Sequence, residues 1–139
     1  MYTDSPYKLT HGSGRTLDPQ GAGLAIAEWT APGTPEGTAP EWIAPLHLHR
    51  EDDEAWIVLE GSLSFRIGEA EVTAHANETV LVPRGTPHTY WNPAPGTARY
   101  LIVMPHRIRD LIAAIHAAQH RDAASMRQLF RQFASEWLD

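Results

Sequence analysis

The sequence at residues 45–61 is PLHLHREDDEAWIVLEG, which brings His47, His49 and Glu54 close together along the chain. The apolar run that follows Glu54 is rich in β-branched and aromatic residues, which favours a strand. Side chains two positions apart on a strand point to the same face, about 6.6–6.8 Å apart. His47 and His49 can therefore contact one ion, and Glu54 can join them from the start of the next strand. This stretch predicts a metal site carried by two strands.

A fourth candidate ligand, His88, lies in the stretch VPRGTPHTYWN at residues 82–92. Pro83 and Gly85 favour a tight turn there, and Pro87 stiffens the approach to the histidine. Each signal alone has an ordinary explanation: a solvated glutamate, a core histidine or an incidental His-x-His pair. Three imidazoles and one carboxylate taken together suit Fe, Mn, Co, Ni or Zn better than Mg or Ca. We predict one divalent transition metal per chain.

Length, charge and cysteine content exclude several classes of function. The chain has 139 residues, which is most simply one domain, and 17 acidic against 11 basic residues give a net charge of −6. That charge argues against nucleic acid or an anionic membrane as partner. Because the sequence contains no cysteine, thiolate metal sites are excluded. The first residues, MYTDSPYKLT, do not resemble an export signal, so we expect a cytoplasmic protein.

Short apolar segments separated by Gly, Pro and Asn fill the middle of the chain, which is typical of an antiparallel sandwich or barrel. The predicted strands cover 23–29, 42–49, 53–59, 62–67, 70–75, 79–82, 88–91 and 99–104. Beyond residue 105 the apolar residues recur with helical spacing. We therefore predict two helices, over 106–119 and 122–137, with Asp122 as the N-cap of the second.

The two histidine-containing stretches together resemble the conserved motifs of the cupins. The first cupin motif, H-x-H-x3–4-E-x6-G, is matched by His47, His49, Glu54 and Gly61. The second, P-x-G-x2-H-x3-N, is matched by Pro83, Gly85, His88 and Asn92. The glycine that opens each cupin motif is replaced here by Glu41 and Asn77. Asn tolerates a left-handed turn, and Glu41 lies in a Pro-rich loop, so the backbone can accommodate both replacements. Neither position is one of the predicted ligands.

The resemblance implies an all-β fold, an antiparallel jelly-roll barrel with the metal inside one end. We expect residues 1–104 to form the cupin barrel with an N-terminal arm, and residues 105–139 to form a helical extension packed on it. Counting alternate strand positions from the ligands then predicts Ile43, Trp56, Val58 and Tyr90 as substrate-binding residues. Phe65 is a further candidate, although the sequence does not fix which face of its strand it occupies, and barrel core is an equal alternative for Trp56 and Tyr90. Such a pocket suits a small, flat organic substrate better than a phosphorylated sugar. Apolar residues on the opposite strand face, such as Ile57 and Leu59, predict a cover of C-terminal helices, a second subunit or both, and we expect a homodimer.

Cupin membership leaves the reaction open. The leading hypothesis is a dioxygenase for an aromatic or enolisable substrate, in which Glu54 is a ligand and also a proton acceptor with a raised pKa. The alternatives are a Lewis-acid cyclase, isomerase or lyase and a non-catalytic binding protein. His116 and His120 have helical spacing but no third ligand nearby, so we interpret them as surface or packing residues.

Overall fold

A computed structural model describes residues 5–138 of the chain. It contains two five-stranded antiparallel sheets and two helices. The strands are β1 (Thr16–Leu17), β2 (Leu24–Ala31), β3 (His47–His49), β4 (Glu54–Glu60), β5 (Ser62–Ile67), β6 (Ala70–His75), β7 (Thr79–Val82), β8 (His88–Trp91), β9 (Ala98–Pro105) and β10 (Ser135–Trp137). The helices are α1 (His106–Ala117) and α2 (Ala123–Gln132).

The first sheet has the strand order β1-β2-β9-β4-β7, and the second has the order β10-β3-β8-β5-β6. Consecutive strands therefore alternate between sheets over much of the chain, which is the jelly-roll arrangement. The predicted all-β jelly-roll fold is confirmed, although the described strands of the two sheets are not hydrogen-bonded into one closed barrel.

The inner faces of the two sheets form the hydrophobic core. Along β4, Glu54, Trp56 and Val58 are buried and alternate with half-buried residues, as the two-residue period of a strand requires. The Trp56 ring packs against Phe65 of β5 and Tyr90 of β8, with ring centroids 5.2 and 5.4 Å away. These aromatic contacts join the two sheets next to His88, whose ring centroid lies 5.7 Å from that of Trp56.

Two turns show why particular residues stand at the motif boundaries. Asn77 has φ 74°, so it adopts the left-handed conformation that the sequence predicted for this substitute of glycine. Gly61 also has φ 74°, and a Cβ at this position would lie 2.8 Å from the Thr97 carbonyl oxygen. A larger residue at Gly61 would therefore push apart the ends of β4 and β9.

The C-terminal segment departs from the sequence prediction. The second helix begins after Asp122, whose side chain accepts a hydrogen bond from the Ser125 N–H as predicted, but it ends at Gln132 rather than at 137. Ala134 then takes φ 53°, and residues 135–137 pair with β3 as strand β10. The stretch 42–49 is also shorter than predicted, because only 47–49 is a strand and Pro45 has no N–H to donate.

The outer face of the first sheet remains partly open. Ile26, Val103, Ala55 and Leu81 lie side by side across four neighbouring strands, and Leu81 is 64% exposed. The helices therefore do not cover this part of the face, whereas the predicted homodimer stays a prediction. Within residues 5–138, neither helix has the length and hydropathy needed to cross a bilayer.

Candidate metal centre

Strand pairing brings the four predicted ligands to one point between the sheets. His47 and His49 come from β3, and His88 of β8 lies directly opposite His47 in the antiparallel register. Glu54 starts β4 in the facing sheet. One ligand atom from each side chain lies within 4.8 Å of the others, and all four residues are buried. The arrangement is compact enough for a single ion.

Backbone carbonyls fix the orientation of two imidazole rings. The Nδ1–H of His47 donates to the Pro45 carbonyl oxygen at 2.6 Å, and the Nδ1–H of His88 donates to the Thr86 carbonyl oxygen at 2.9 Å. A carbonyl can only accept, so each neutral ring carries its proton on Nδ1 and its lone pair on Nε2. Both lone pairs are then available to a metal.

The third ring is held by a side chain from the other end of the chain. His49 Nδ1 lies 2.7 Å from Ser135 Oγ, and the Ser135 hydroxyl donates to the Phe133 carbonyl oxygen at 3.0 Å. Because its proton is already committed, Ser135 Oγ accepts from the His49 Nδ1–H. All three histidines therefore share one tautomer, with Nε2 unprotonated when the ring is neutral.

The inward-facing atoms of the site lack partners. Nε2 of His49 and Nε2 of His88 lie 3.2 and 3.4 Å from Glu54 Oε1. All three atoms are buried without a hydrogen-bond partner within the described chain. Lone pairs of neutral imidazoles that face a carboxylate oxygen are satisfied by a cation. The donor set thus fits one divalent transition metal, and it accommodates Fe, Mn, Co, Ni or Zn alike.

An apolar cavity of about 240 Å³ opens onto three of the ligands, His47, His49 and Glu54. Among the predicted substrate-binding residues, Ile43, Trp56 and Tyr90 line this cavity. Val58 and Phe65 are fully buried and lie in the core behind its wall. Any ligand position left free by the protein therefore faces a mainly apolar chamber.

Helix α1 closes one side of the chamber, a role that the sequence did not predict. The face of α1 that lines the cavity carries Ile108, Leu111, Ile112, Ile115 and His116. His116 also contacts the Trp29 ring edge-on, with centroids 5.8 Å apart. The interpretation of His116 as a packing residue thus holds in part, but the packing occurs at the cavity. Phe130 of α2 lies against the His47 ring at 5.7 Å and completes this wall.

Residues 36–104 match a protein-family model described as Cupin domain. This chain belongs to the cupin superfamily. The matched residues include all four candidate ligands and run from β3 into β9, whereas β1 and β2 precede them and the helices and β10 follow them. The C-terminal part of this cupin, including Ser135, therefore lies outside the matched residues.

Solved structures share the fold. A cupin protein from Bacteroides fragilis superposes with a TM-score of 0.58 at 12% identity, over 76% of this chain and 86% of that one. A cupin-2 domain containing protein from Shewanella frigidimarina gives a TM-score of 0.51 at 22% identity, over 70% and 84% of the two chains. At these identities the likeness shows the common fold alone.

Two curated relatives match parts of the cupin domain. A mannose-1-phosphate guanylyltransferase from Salmonella muenchen is 41% identical over 54 residues, 39% of this chain and 11% of that protein. The oxidoreductase iacF from Pestalotiopsis fici is 41% identical over 59 residues, 42% of this chain and 28% of that protein. The matched part of this chain thus spans less than a third of either relative.

Burial and neighbouring charges set the protonation of the ligands. Burial, together with the nearby His88 and His49 rings, lowers the pKa of His47 to about 3. Burial alone would raise the pKa of Glu54, but interactions with His49 and His88 outweigh it and lower that pKa to about 2. His47 is therefore neutral and Glu54 ionised at neutral pH, the forms that bind metals. The raised pKa that a proton-accepting Glu54 needs is not found in this structure.

These shifts predict how the metal-free protein responds to acid. Between pH 6.5 and 3 the folded state binds one proton fewer at His47 than the unfolded chain does, so stability falls as the pH falls. One such group changes the free energy of unfolding by up to about 1.4 kcal/mol per pH unit. Glu54 adds a second loss below pH 4.5. We expect the urea midpoint of chelator-treated protein to decrease steadily from pH 6.5 to pH 5.

The variant His47→Gln tests this assignment. It should flatten the slope between pH 6.5 and 5, whereas His75→Gln, at an exposed position of β6, should leave it unchanged. A urea midpoint that does not vary with pH in wild-type protein would show that His47 is not held neutral.

Ser135 is the site residue that sequence reasoning missed, and it gives a second prediction. The change Ser135→Ala leaves the buried Nδ1–H of His49 without an acceptor, at a cost of about 1–3 kcal/mol. Loss of a partner that orients a ligand typically lowers metal affinity about 10–100-fold. We expect a loss in that range in a competition titration with a chelator.

A matched control is Thr38→Ala, which also removes one hydroxyl hydrogen bond, but one in an exposed loop that contacts none of the candidate ligands through its hydroxyl. Its metal affinity should equal that of the wild type. Equal affinities for Ser135→Ala and Thr38→Ala would mean that Ser135 does not position His49.

Proposed function

We propose that this cupin is a metal-dependent dioxygenase that acts on a small aromatic or enolisable organic compound. The observation that carries the proposal is the opening of a three-histidine, one-glutamate centre into an apolar cavity of about 240 Å³. Four protein ligands leave one or two positions on an ion that accepts five or six. Because three of the four ligands line the cavity, a substrate in the chamber would be able to reach a bound ion.

The cavity size and lining support the substrate class. A cavity of about 150 Å³ lined by Leu, Ile and Phe can hold benzene, and pockets for drug-sized ligands begin near 300 Å³. A volume of about 240 Å³ therefore suits a one- or two-ring molecule. Among the described residues that line it, none is Arg or Lys. This lining does not favour a sugar phosphate, even though one relative is named for mannose 1-phosphate chemistry.

The side chains at this centre would have different roles. His47, His49, His88 and Glu54 would hold the ion, which when bound supplies Lewis acidity and, if redox-active, electron transfer to dioxygen. Trp29 of β2 and Ile112 of α1 line the cavity and would contact a flat ring bound there. The apolar lining excludes water, which strengthens electrostatic interactions inside the chamber. The partial match to a protein named as an oxidoreductase favours redox chemistry over a metal with no redox role.

Oxygen uptake tests the proposal. The protein is stripped of metal, loaded separately with Fe, Mn, Co, Ni or Zn, and mixed with a panel of phenols, enols and 1,3-dicarbonyl compounds. We expect at least one redox-active form to consume dioxygen with a panel member and to place both atoms of ¹⁸O₂ in the product. Substrate loss without oxygen uptake, equally rapid with zinc, would replace the proposal by a Lewis-acid cyclase or isomerase. Binding without turnover in every metal form would leave a binding protein.

A further inference from the structure

The cavity wall contains a pair of tyrosines with one surplus proton. Tyr90 of β8 and Tyr100 of β9 come from opposite sheets, and their hydroxyl oxygens lie 3.1 Å apart. The two hydroxyls carry two protons, and the hydrogen bond between them uses one. Within residues 5–138 the structure gives neither hydroxyl another acceptor. One O–H donor is therefore left over in a buried site.

A second donor lies beside this pair. The Trp56 indole packs against the Tyr90 ring with centroids 5.4 Å apart, and its buried Nε1–H interacts with the Tyr90 hydroxyl oxygen, which offsets part of the rise that burial causes in the pKa of Tyr90. Trp56, Tyr90 and Tyr100 all line the same cavity as the metal ligands. The Trp56 N–H therefore takes up a lone pair of Tyr90 and not the surplus O–H. Because buried polar groups are almost always hydrogen-bonded, that surplus O–H calls for an acceptor that the described chain does not supply.

The chemistry of the acceptor follows from the donor. A carbonyl oxygen has lone pairs and no proton, so it can accept a hydrogen bond from the surplus tyrosine O–H. A carboxylate would also accept, but the described lining has no Arg or Lys to balance its charge. Burial raises the pKa of Tyr100 to about 12, so its hydroxyl remains protonated at neutral pH.

We propose that Tyr90 and Tyr100 form a carbonyl-binding subsite, so that the substrate is a phenol or enol that also carries a neutral ketone, aldehyde or ester oxygen. The inference rests on the proposed function only in that the metal holds the first oxygen. The tyrosine hydroxyls then hold the second, and the two contacts together fix the orientation of the ring. Tyr90 and Tyr100 are positioning residues in this arrangement.

Binding of matched phenols tests the subsite without turnover. Zinc-loaded protein under nitrogen is titrated with 3′- or 4′-hydroxyacetophenone and with 4-ethylphenol, which has nearly the same shape but no carbonyl group. Quenching of tryptophan fluorescence follows binding, since Trp29 and Trp56 line the cavity. We expect at least one ketone to bind about 3- to 10-fold more tightly than 4-ethylphenol, the range of one neutral hydrogen bond. Its carbonyl stretching band should move to lower wavenumber on binding.

The variant Tyr90→Phe/Tyr100→Phe should remove both the ketone preference and the infrared shift while leaving 4-ethylphenol affinity within about 2-fold. Each single variant keeps one hydroxyl, so each should retain part of the preference. The control Tyr7→Phe, at a position 78% exposed, should behave as the wild type. Retained 4-ethylphenol binding shows that the double variant still folds around the cavity. Should the double variant unfold, the infrared shift in the single variants decides.

The outcomes separate this inference from the proposed function. Equal affinities of ketone and 4-ethylphenol in wild-type protein, an unshifted carbonyl band or no binding of any probe would overturn the subsite, even if oxygen uptake were found. A ketone preference that depends on the tyrosines would establish it, even if no substrate consumed oxygen.

Discussion

The change Glu54→Gln should lower the affinity for a divalent metal by more than about 100-fold, beyond the usual effect of losing a partner that only orients a ligand. Glu54 is the anionic member of the site, and the other three ligands are neutral imidazoles when bound. An amide has nearly the shape of the carboxylate but no charge, so the change tests electrostatics with little change in packing. Metal content after dialysis and a chelator competition titration measure the effect.

A matched control is Glu71→Gln, which makes the same chemical change at an exposed position of β6. It should retain one equivalent of metal. If Glu54→Gln also retained one equivalent at wild-type affinity, the four-residue group would not be the metal site. Oxygen uptake, if found in the wild type, should disappear in Glu54→Gln and persist in Glu71→Gln.

Ending the chain after Phe133 should lower the free energy of unfolding by about 3 kcal/mol or more and weaken metal binding at the same time. The truncation removes β10, in which Ser135 is fully buried. It also removes two main-chain hydrogen bonds of 2.8 Å, from Arg50 N–H to the Ala134 carbonyl and from Leu138 N–H to the Leu46 carbonyl. Several bonds of about 1 kcal/mol each, together with lost burial, account for the magnitude.

Urea unfolding of the metal-free protein measures the first effect, and a chelator competition titration measures the second. The control is Glu136→Gln, on the exposed side of β10, where the long ion pair with Arg50 contributes little. A truncated protein with the wild-type unfolding midpoint would show that β10 is not part of the stable fold.

The metal ligands could be predicted from the sequence because their geometry is local. His47 and His49 differ by two positions on one strand, so strand geometry alone places them on one face. The turn at Pro83 and Gly85 similarly fixes how His88 enters β8. The spacing of the two cupin motifs then linked His47, His49 and Glu54 to His88, and the structure brings all four side chains together.

The support of the ligands could not be predicted, because it depends on contacts between distant parts of the chain. Ser135 and His49 are 86 positions apart. Trp137 misled the helix prediction, since it lies one helical turn beyond Phe133 in sequence. It nevertheless contacts Phe130 from strand β10, with ring centroids 6.4 Å apart. Tyr100 likewise gave no signal, because strand alternation shows that a side chain points inward but not which side chain of the other sheet it meets.

The open side of the site has a consequence for the order in which its occupants arrive. His88 is 1% exposed, and the Nδ1 atom of each of the three histidine rings is hydrogen-bonded to the protein. The cavity is therefore the route by which an ion would reach its ligands. A substrate bound in that cavity, as proposed above, would block the same route. The metal would therefore have to bind before the substrate. A bound substrate would then slow the dissociation of the ion. Metal exchange should be fastest in the substrate-free protein and slowest when substrate fills the cavity.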